Sequence, residues 1–152
     1  MKNLFYKIKF QNSSSQLNDE YERFSEQEKQ KIYDLDCESF FDFHDHDDNY
    51  ICFMICQPTE LEKYSEILSS NLVTHTITDL TLSILKFEID LESELNPLLS
   101  TVNSIKYSFF IDDINSWLLQ NLDMDIILDR ILDIGIDNLS NVEKEFLKNY
   151  HN

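Results

Sequence analysis

The most continuously apolar stretch of the chain occupies residues 50–57, with the sequence Tyr-Ile-Cys-Phe-Met-Ile-Cys-Gln. Acidic and turn-forming residues 47–49 precede it, and Pro58 follows it. A short run of this kind, rich in β-branched and aromatic residues, is typical of a strand that is covered on both faces. Its side chains would alternate, with Ile51, Phe53 and Ile55 on one face and Cys52, Met54 and Cys56 on the other. We therefore predict the central strand of a sheet here.

Three other segments carry strand patterns. Residues 4–10 alternate apolar and polar side chains with a period of two, which predicts a strand with one buried face, followed by a loop over residues 11–16. Residues 38–43 predict a second strand, joined to the central strand as a hairpin by the acidic turn 44–49. Residues 72–78 are rich in β-branched side chains and predict a further strand.

Helical patterns separate these strands. Residues 17–35 carry an apolar face, and a capping box of Ser25 and Glu28 predicts a break within them. A second capping box, of Thr59 and Glu62, predicts the start of another helix. The resulting order is strand, helix, strand, strand, helix, strand, which predicts a ferredoxin-like βαββαβ core over residues 1–89 in an α+β protein. The first and third strands of that arrangement are central.

Residues 90–152 predict a helical extension of this core. Residues 80–89, just before it, fit either an irregular connection or a fifth strand. Asn96 followed by Pro97 is a favourable helix start. Residues 105–111 fit helix or strand, and we favour helix. From Asp113 onward, the positions Ile114, Trp117 and Leu118 share one helical face.

The extension is predicted to end in a helical hairpin that packs, as one unit with the core, on the open face or one edge of the sheet. Asp123 would cap its first helix, and Gly135 would end that helix in a left-handed conformation. Ser140 and Glu143 would cap the second helix. The expected apolar stripes are Met124, Ile127, Leu128, Ile131 and Leu132 on the first helix and Val142, Phe146, Leu147 and Tyr150 on the second.

The residues of this hairpin, 123–150, resemble the short tail module found at the C-termini of some bacterial rhomboid-family proteins. Those tails share a helix, a Gly-x-x-x-Leu-Ser/Thr turn and Glu-Lys-x-Phe-Leu, which correspond here to residues 135–140 and 143–147. The resemblance implies a shared way of docking on another molecule. It carries over no catalytic role, because no apolar segment of the chain is long enough for a membrane helix.

The net charge of the chain limits the kinds of molecule that it is expected to bind. The 152 residues carry a formal net charge of −17, with 29 acidic and 12 basic side chains. Nucleic acids and anionic membranes require a basic surface, so neither is expected as a partner. An acidic surface accelerates encounter with a basic protein, although it also serves solubility alone. A basic protein partner is therefore the interaction that charge favours, and the oligomeric state stays open.

The amino-acid composition argues against a phosphate-binding loop and indicates the kind of genome that encodes the chain. The chain has one glycine and no alanine, so it lacks the several glycines of a phosphate-binding loop, and we predict no cofactor. Scarce alanine, glycine, proline and arginine beside abundant isoleucine, asparagine and lysine suggest an AT-rich bacterial or phage genome. Three cysteines and no apolar leader favour a reducing compartment, so we expect a cytoplasmic protein.

One cluster has the residue types of a metal site. His44, His46 and Asp48 match the start of the His-x-His-x-Asp-His motif of metallo-β-lactamase-like hydrolases, but Asn49 replaces the last histidine. Metal sites also need further converging ligands and supporting residues. A solvated hairpin turn is therefore the favoured interpretation, and a metal-dependent hydrolase is the alternative function.

The cysteines fit core positions better than ligand positions. Cys52 and Cys56 would lie about 13 Å apart along one strand face, too far for a shared metal ion or a disulfide. Cys37 has no local partner in the sequence. All three are predicted to behave as small apolar core residues.

The candidate binding residues lie in the helical extension. Asp125, Asp129 and Asp133 recur every four residues, which predicts an acidic ridge opposite the apolar stripe of their helix. Trp117 and Tyr150 are candidate aromatic anchors near it. We therefore predict a non-enzymatic interaction protein, such as an immunity or inhibitor protein against a basic toxin, or an adaptor in a cytoplasmic complex.

Overall fold

A computed structural model describes residues 2–44, 49–89 and 104–150 of the chain, which form a mixed α+β fold. The four strands are β1 (Leu4–Ser13), β2 (Cys37–His44), β3 (Asn49–Cys56) and β4 (His75–Asp79). The α-helices of the described residues are α1 (Ser14–Glu22), α2 (Glu26–Tyr33), α3 (Pro58–Ser70), α4 (Thr81–Leu85), α5 (Ser104–Asn121), α6 (Met124–Ile134) and α7 (Asn141–Tyr150). A 3₁₀ turn at Ile136–Asn138 joins the last two helices. Within these residues, no helix is long and apolar enough to cross a membrane.

The strands form one antiparallel sheet in the order β2-β3-β1-β4. In the centre of the sheet, β1 pairs with β3 so that Phe5 lies opposite Ile55 and Ile8 opposite Cys52. The outer strands then pair with β3 and β1. The prediction that the apolar run at residues 50–57 forms a central strand is confirmed.

The two faces of β3 belong to different hydrophobic clusters, with the alternation that the sequence predicts. Phe53 and Ile55 face one cluster, with Ile51 packed at its margin. Cys52, Met54 and Cys56 face the other. Because all five of the residues from Cys52 to Cys56 are buried, neither face of this strand meets solvent over that length.

One face of the sheet is covered by the helices that follow β4. Phe110, Ile114 and Trp117 of α5 pack into the cluster that contains Phe53, so the extension lies on a face of the sheet. The indole Nε1 of Trp117 donates a hydrogen bond of 2.9 Å to the backbone oxygen of Asn3. This bond fixes the C-terminal half of α5 to the residue just before β1.

The opposite face is covered by α1, α2 and α3. Phe24 comes from the α1–α2 connection, and Leu61, Tyr64 and Leu68 come from α3. The predicted capping box at the start of α2 is confirmed, since the Ser25 hydroxyl accepts from the Glu28 N–H and the Glu28 carboxylate accepts from the Ser25 N–H. This cap separates α2 from α1 at the predicted break.

Several predicted boundaries in the first half of the chain are wrong. Residues 11–16 do not form a loop, because β1 continues to Ser13 and α1 begins at the next residue. The Thr59–Glu62 capping box does not form. Instead α3 begins at Pro58, whose fixed φ suits the first helical position, and Gln57 is the N-cap.

The segment on either side of β4 also differs from the prediction. The strand covers His75–Asp79 rather than residues 72–78, because Leu72 takes a positive φ of 61° and the chain turns there. Residues 80–89 form neither a fifth strand nor an irregular connection throughout, since they contain α4. The Thr81 hydroxyl accepts a hydrogen bond from the Phe5 N–H, which ties α4 to the sheet.

The predicted helical hairpin is present, and the C-terminal helices differ from the prediction in two respects. The helix at residues 105–111 is confirmed, but α5 runs unbroken from Ser104 to Asn121. Gly135 has a positive φ of 82°, yet its ψ of 153° places it in an extended region open only to glycine, not in the left-handed helical region. The helix start predicted at residues 96–97 lies outside the described residues.

The apolar stripe predicted for α6 is only partly buried. Ile127 is fully buried, whereas Leu128 is 49% exposed and Leu132 is 85% exposed. The core instead contacts Ile126, Ile127 and Ile131. The buried side of α6 is therefore rotated from the predicted stripe, and two leucines face solvent.

Candidate functional site

The outer side of α6 combines exposed acidic and apolar side chains. Asp125, Asp129 and Asp133 are all exposed, as predicted for the acidic ridge. Leu128 and Leu132 precede two of these acids directly and share their side of the helix, because residues three and four apart are neighbours on a helix surface. We call these five residues the α6 outer face.

The acids of the α6 outer face keep their negative charge available. None of the ion pairs formed within the described ranges uses Asp125, Asp129 or Asp133. Like charges at a spacing of four residues repel each other by a few tenths of a kcal/mol. A basic partner would relieve that repulsion while covering the leucines.

A buried ion pair holds this helix in place. Glu143 of α7 has no exposed surface, and its Oε1 accepts a hydrogen bond of 3.0 Å from Nε of Arg130 on α6. Its Oε2 accepts from the Ser140 N–H at 2.7 Å, which confirms the predicted cap at the start of α7. Although burial raises the pKa of Glu143, the hydrogen bonds from Arg130 and Ser140 hold it below its usual range.

The start of α6 is fixed as well. The Asp123 side chain accepts a hydrogen bond of 2.9 Å from the Ile126 N–H, so the predicted cap is confirmed. The Arg130 guanidinium also lies over the Phe87 ring, 5.0 Å from its centroid. The α6 outer face is therefore presented by a helix that is held at its start and in its middle.

The two predicted aromatic anchors have different environments. Trp117 is a residue of α5 and is fully buried against the sheet, so its indole belongs to the core and is not a surface anchor. Tyr150 is 62% exposed at the end of α7. Its ring contacts Phe146 and, with Leu119 and Asn149, lines a shallow cavity of about 220 Å³. Tyr150 thus stays a candidate contact residue on a different helix from the acids.

The predicted metal cluster is only partly within the described residues. His44 is exposed at the end of β2, while His46 and Asp48 lie outside them. Across residues 2–44, 49–89 and 104–150, no group of three or more histidine, cysteine, aspartate or glutamate side chains is placed to hold a metal ion. The hydrolase alternative stays an untested prediction.

Sequence reasoning missed a cavity of about 340 Å³ on the other side of the sheet, beneath α1 and α2. Its walls are largely aromatic and aliphatic, with two carboxylates and no basic side chain among the lining residues, which are Phe10, Leu17, Glu20, Tyr21, Phe24, Ile32, Phe40, Asp42, Tyr50, Tyr64, Leu68 and Val73. Walls of this kind suit an apolar group.

Two lining residues, Asp42 and Tyr50, belong to a hydrogen-bond network that extends to Lys106 outside the cavity. The Tyr50 hydroxyl donates to Oδ2 of Asp42, and Nζ of Lys106 donates to Oδ1 of Asp42 at 2.7 Å. Burial raises the pKa of Asp42, but these two partners outweigh it and lower the pKa below its usual value. Burial and the adjacent carboxylate both raise the pKa of the Tyr50 phenol. Asp42 therefore stays ionised, and Lys106 links α5 to β2.

Cys37 has no local partner in the sequence, but the fold brings a distant cysteine beside it. Cys37, at the start of β2, is paired in register with Cys56, at the end of β3. The two residues are 19 apart in the sequence, and only the strand pairing brings them together. Cys52 lies elsewhere on β3, opposite Asp42 and Ile8.

Comparison with protein-family models, with curated proteins and with solved structures finds no match to this chain. The resemblance of residues 123–150 to rhomboid-family tails accordingly stays a prediction.

Proposed function

We propose that this protein is a non-enzymatic interaction protein that binds a basic protein partner through the α6 outer face. The observation that carries this proposal is the exposure of Leu128 and Leu132 beside Asp125, Asp129 and Asp133. Exposed leucines occur singly on most proteins and need no explanation. Two leucines one turn apart, flanked by exposed acids, offer a partner both apolar area and charge.

The two kinds of side chain would contribute differently to binding. Full burial of a leucine side chain contributes about 1.5–3 kcal/mol, so Leu128 and Leu132 would supply much of the affinity. Charges at the rim of an interface act mainly on the rate of encounter. The three aspartates would therefore accelerate association with a basic surface and disfavour acidic competitors.

The contacts that hold α6 in place also favour a binding role for the α6 outer face. A helix that is capped at Asp123 and tied to α7 through Arg130 and Glu143 loses little conformational freedom on binding. The apolar positions Leu128 and Leu132 have the spacing by which amphipathic helices dock against one another. The partner segment that this surface fits best is thus a basic amphipathic helix.

A basic protein partner suggests two kinds of function for this protein. An immunity or inhibitor protein against a basic toxin is the first candidate, and an adaptor in a cytoplasmic complex is the second. The net charge of −17 disfavours direct binding to nucleic acid. The docking role implied by the rhomboid-tail resemblance concerns the same helical hairpin. Free cysteines support a reducing compartment, and we propose the cytoplasm.

We further propose that residues 1–89 are a ferredoxin-like βαββαβ unit to which the C-terminal helices were added. The strand order β2-β3-β1-β4 supports this, as do the helices between β1 and β2 and between β3 and β4. In this view the added helices cover the sheet face that such a unit leaves open, and α6 carries the binding surface away from the sheet.

Capture from the source cell tests the proposal. The baits are the wild type, Leu132→Ser and the control Leu82→Ser, which removes a leucine that is also largely exposed, at 68%, but lies on α4. We expect the wild type and Leu82→Ser to retain the same basic protein and Leu132→Ser to lose it. An identical set of captured proteins for all three baits would contradict the proposal, as would an acidic partner.

A further inference from the structure

Cys37 and Cys56 are placed for a bond that the present structure does not contain. They are directly opposed on adjacent antiparallel strands. Opposed Cα atoms in antiparallel pairs lie about 4.5–5.5 Å apart, which falls within the range of about 4.4–6.8 Å found for disulfides. Both cysteines are free thiols here.

A β-bulge creates this pairing. Ser39 lies opposite Ile55, and the regular continuation would place Glu38 opposite Cys56, but the register shifts between Cys37 and Ser39 so that Cys37 takes this place. An extra residue in one strand redirects the side chains that precede it. Cys37 consequently packs at the margin of the same cluster as Cys56.

The surroundings favour a thiolate on the buried member of the pair. A hydrogen bond from Cys37 lowers the pKa of Cys56, burial and Glu60 oppose this, and the Leu61 N–H of α3 assists it. The same thiol–thiol hydrogen bond, with burial and the nearby carboxylates Glu60 and Asp36, raises the pKa of Cys37. The hydrogen bond between the two sulfurs therefore favours ionisation of Cys56 over ionisation of Cys37.

The two thiols differ in access. Cys56 has no exposed surface, whereas Cys37 is half-buried and lines a surface cavity of about 330 Å³ with Tyr33, Leu35 and Phe40. A small oxidant therefore reaches Cys37 first. Cys56 lies behind it, positioned to displace whatever becomes attached to Cys37.

We propose that Cys37 and Cys56 are a reversible thiol–disulfide site that reacts with low-molecular-weight disulfides such as glutathione disulfide. The Cys37 thiol gives its proton to the hydrogen-bonded Cys56 thiolate as its sulfur attacks one sulfur of the glutathione disulfide. A mixed disulfide forms, and the glutathione thiolate that leaves takes that proton from Cys56. The Cys56 thiolate then attacks the Cys37 sulfur and releases the second glutathione. Overall two protein thiols are oxidised, one glutathione disulfide is reduced to two thiols, and the two protons pass to the departing glutathiones.

The third cysteine provides a matched control. Cys52 is fully buried on β3, its strongly raised pKa is due first to burial, and it lies opposite no cysteine. A reaction that merely reflects thiol content would involve it as readily as the other two. A reaction that depends on the paired geometry would not.

The test exposes the reduced full-length protein to glutathione disulfide and follows intact mass, disulfide mapping by peptide analysis, and the melting temperature. We expect the wild type and Cys52→Ser to lose two hydrogens, to form the Cys37–Cys56 bond without a lasting glutathione adduct, and to melt about 5–10 °C higher. Dithiothreitol should reverse both changes.

Single variants separate the two steps. Cys56→Ala should stop at a glutathione adduct on Cys37, and Cys37→Ala should react much more slowly than the wild type at every site. Circular dichroism confirms that each variant is folded, and Cys56→Ser replaces Cys56→Ala if it is not. A lasting adduct on wild-type Cys37, a disulfide that includes Cys52, or no reaction of the wild type would overturn the proposal.

Discussion

The two faces of the sheet are both apolar but are filled in different ways. On the face covered by α5, aromatic side chains pack directly against one another. Phe41 stacks on Phe110 with ring centroids 4.3 Å apart, and the Phe53 centroid lies 5.8 Å from the Phe110 centroid. Beneath α1–α3, the aromatic residues include several tyrosines, and they surround a cavity of about 340 Å³. One face is closed by close packing, while the other keeps internal space and polar groups.

This difference indicates a division of roles between the faces. Close packing of rings contributes dispersion and apolar burial and leaves no room for a ligand. The α1–α3 face holds instead the Cys37–Cys56 pair and the network of Tyr50 and Asp42. We infer that the α5 face mainly supplies stability and carries α6 into position, and that the α1–α3 face carries the reactive groups.

The largest loss is expected for Phe53→Asp. Phe53 is 1% exposed at the centre of the ring cluster, and an unpaired buried carboxylate costs several kcal/mol against a total stability of about 5–15 kcal/mol. The variant should not fold, as judged by the loss of a cooperative thermal transition. The control Thr76→Asp, at an exposed position of the edge strand β4, should melt almost like the wild type. A soluble, cooperatively melting Phe53→Asp protein would contradict the central position of β3.

A matched pair of substitutions compares the faces directly. Phe53→Ala removes a ring that contacts Phe5, Phe43 and Phe110, and should cost about 4–5 kcal/mol. Phe10→Ala removes a ring of equal burial that borders the cavity, and should cost about 3 kcal/mol. Urea unfolding measures both. Equal costs would show that the cavity does not distinguish the faces.

Removing the charge of Glu143 should cost about 2–3 kcal/mol, because Glu143→Gln leaves Arg130 largely buried without its counter-charge. The folded-state pKa of Glu143 is lowered, so its contribution is complete above an unfolded pKa of about 4.3 and is lost as the pH falls through the folded value. The difference between wild type and Glu143→Gln should therefore shrink in acid. A difference that stays constant from pH 7 to pH 3 would exclude this ion pair as its source.

Lys106→Met should lower the free energy of unfolding by a smaller amount, about 0.5–1 kcal/mol. The Lys106 side chain is half exposed where it meets Asp42, and solvent screens such pairs. The Lys106 side chain lies over the Phe41 ring, and a methionine side chain can keep part of this apolar packing. Chemical denaturation measures the change, with Lys31→Met at an exposed position of α2 as the control. A loss above about 2 kcal/mol would mean that Lys106, rather than ring packing, fastens α5 to the sheet.

Local patterns were sufficient to predict part of this architecture. The alternation of residues 51–56 assigned each side chain of β3 to its face, because strand geometry is periodic whatever lies nearby. The caps at Ser25, Asp123 and Ser140 were predictable for the same reason, since each involves residues only three apart. The acidic ridge on α6 is likewise a consequence of helical spacing.

Features that depend on distant segments were not predictable. Local spacing places Trp117 on one helical face with Ile114 and Leu118, but it does not show that this face meets the start of β1, 114 residues away. The Cys37–Cys56 pair depends on a bulge in β2. The apolar stripe of α6 is wider than the side that the core covers, so the sequence could not indicate that Leu132 is left exposed. The width of the stripe indicates only that some of its side chains are exposed, and not which ones.

The smallest loss of stability is expected on the α6 outer face, together with the largest effect on binding. Asp129→Lys with Asp133→Lys changes exposed positions and should alter the unfolding free energy by no more than about 0.5 kcal/mol. Glu62→Lys with Glu66→Lys is the matched control, because these exposed acids have the same spacing on α3. The two double variants change the net charge equally.

Association rates of both double variants with the captured basic partner, at two ionic strengths, test the central claim that the α6 outer face is the binding surface. Charges near an interface dominate steering, and salt screens them over about 10 Å at 0.1 M. We predict that the α6 variant associates at least tenfold more slowly than the wild type and loses most of its salt dependence, while the α3 variant changes less than twofold. Equal slowing by the two variants would contradict the claim, because net charge alone would then steer the encounter.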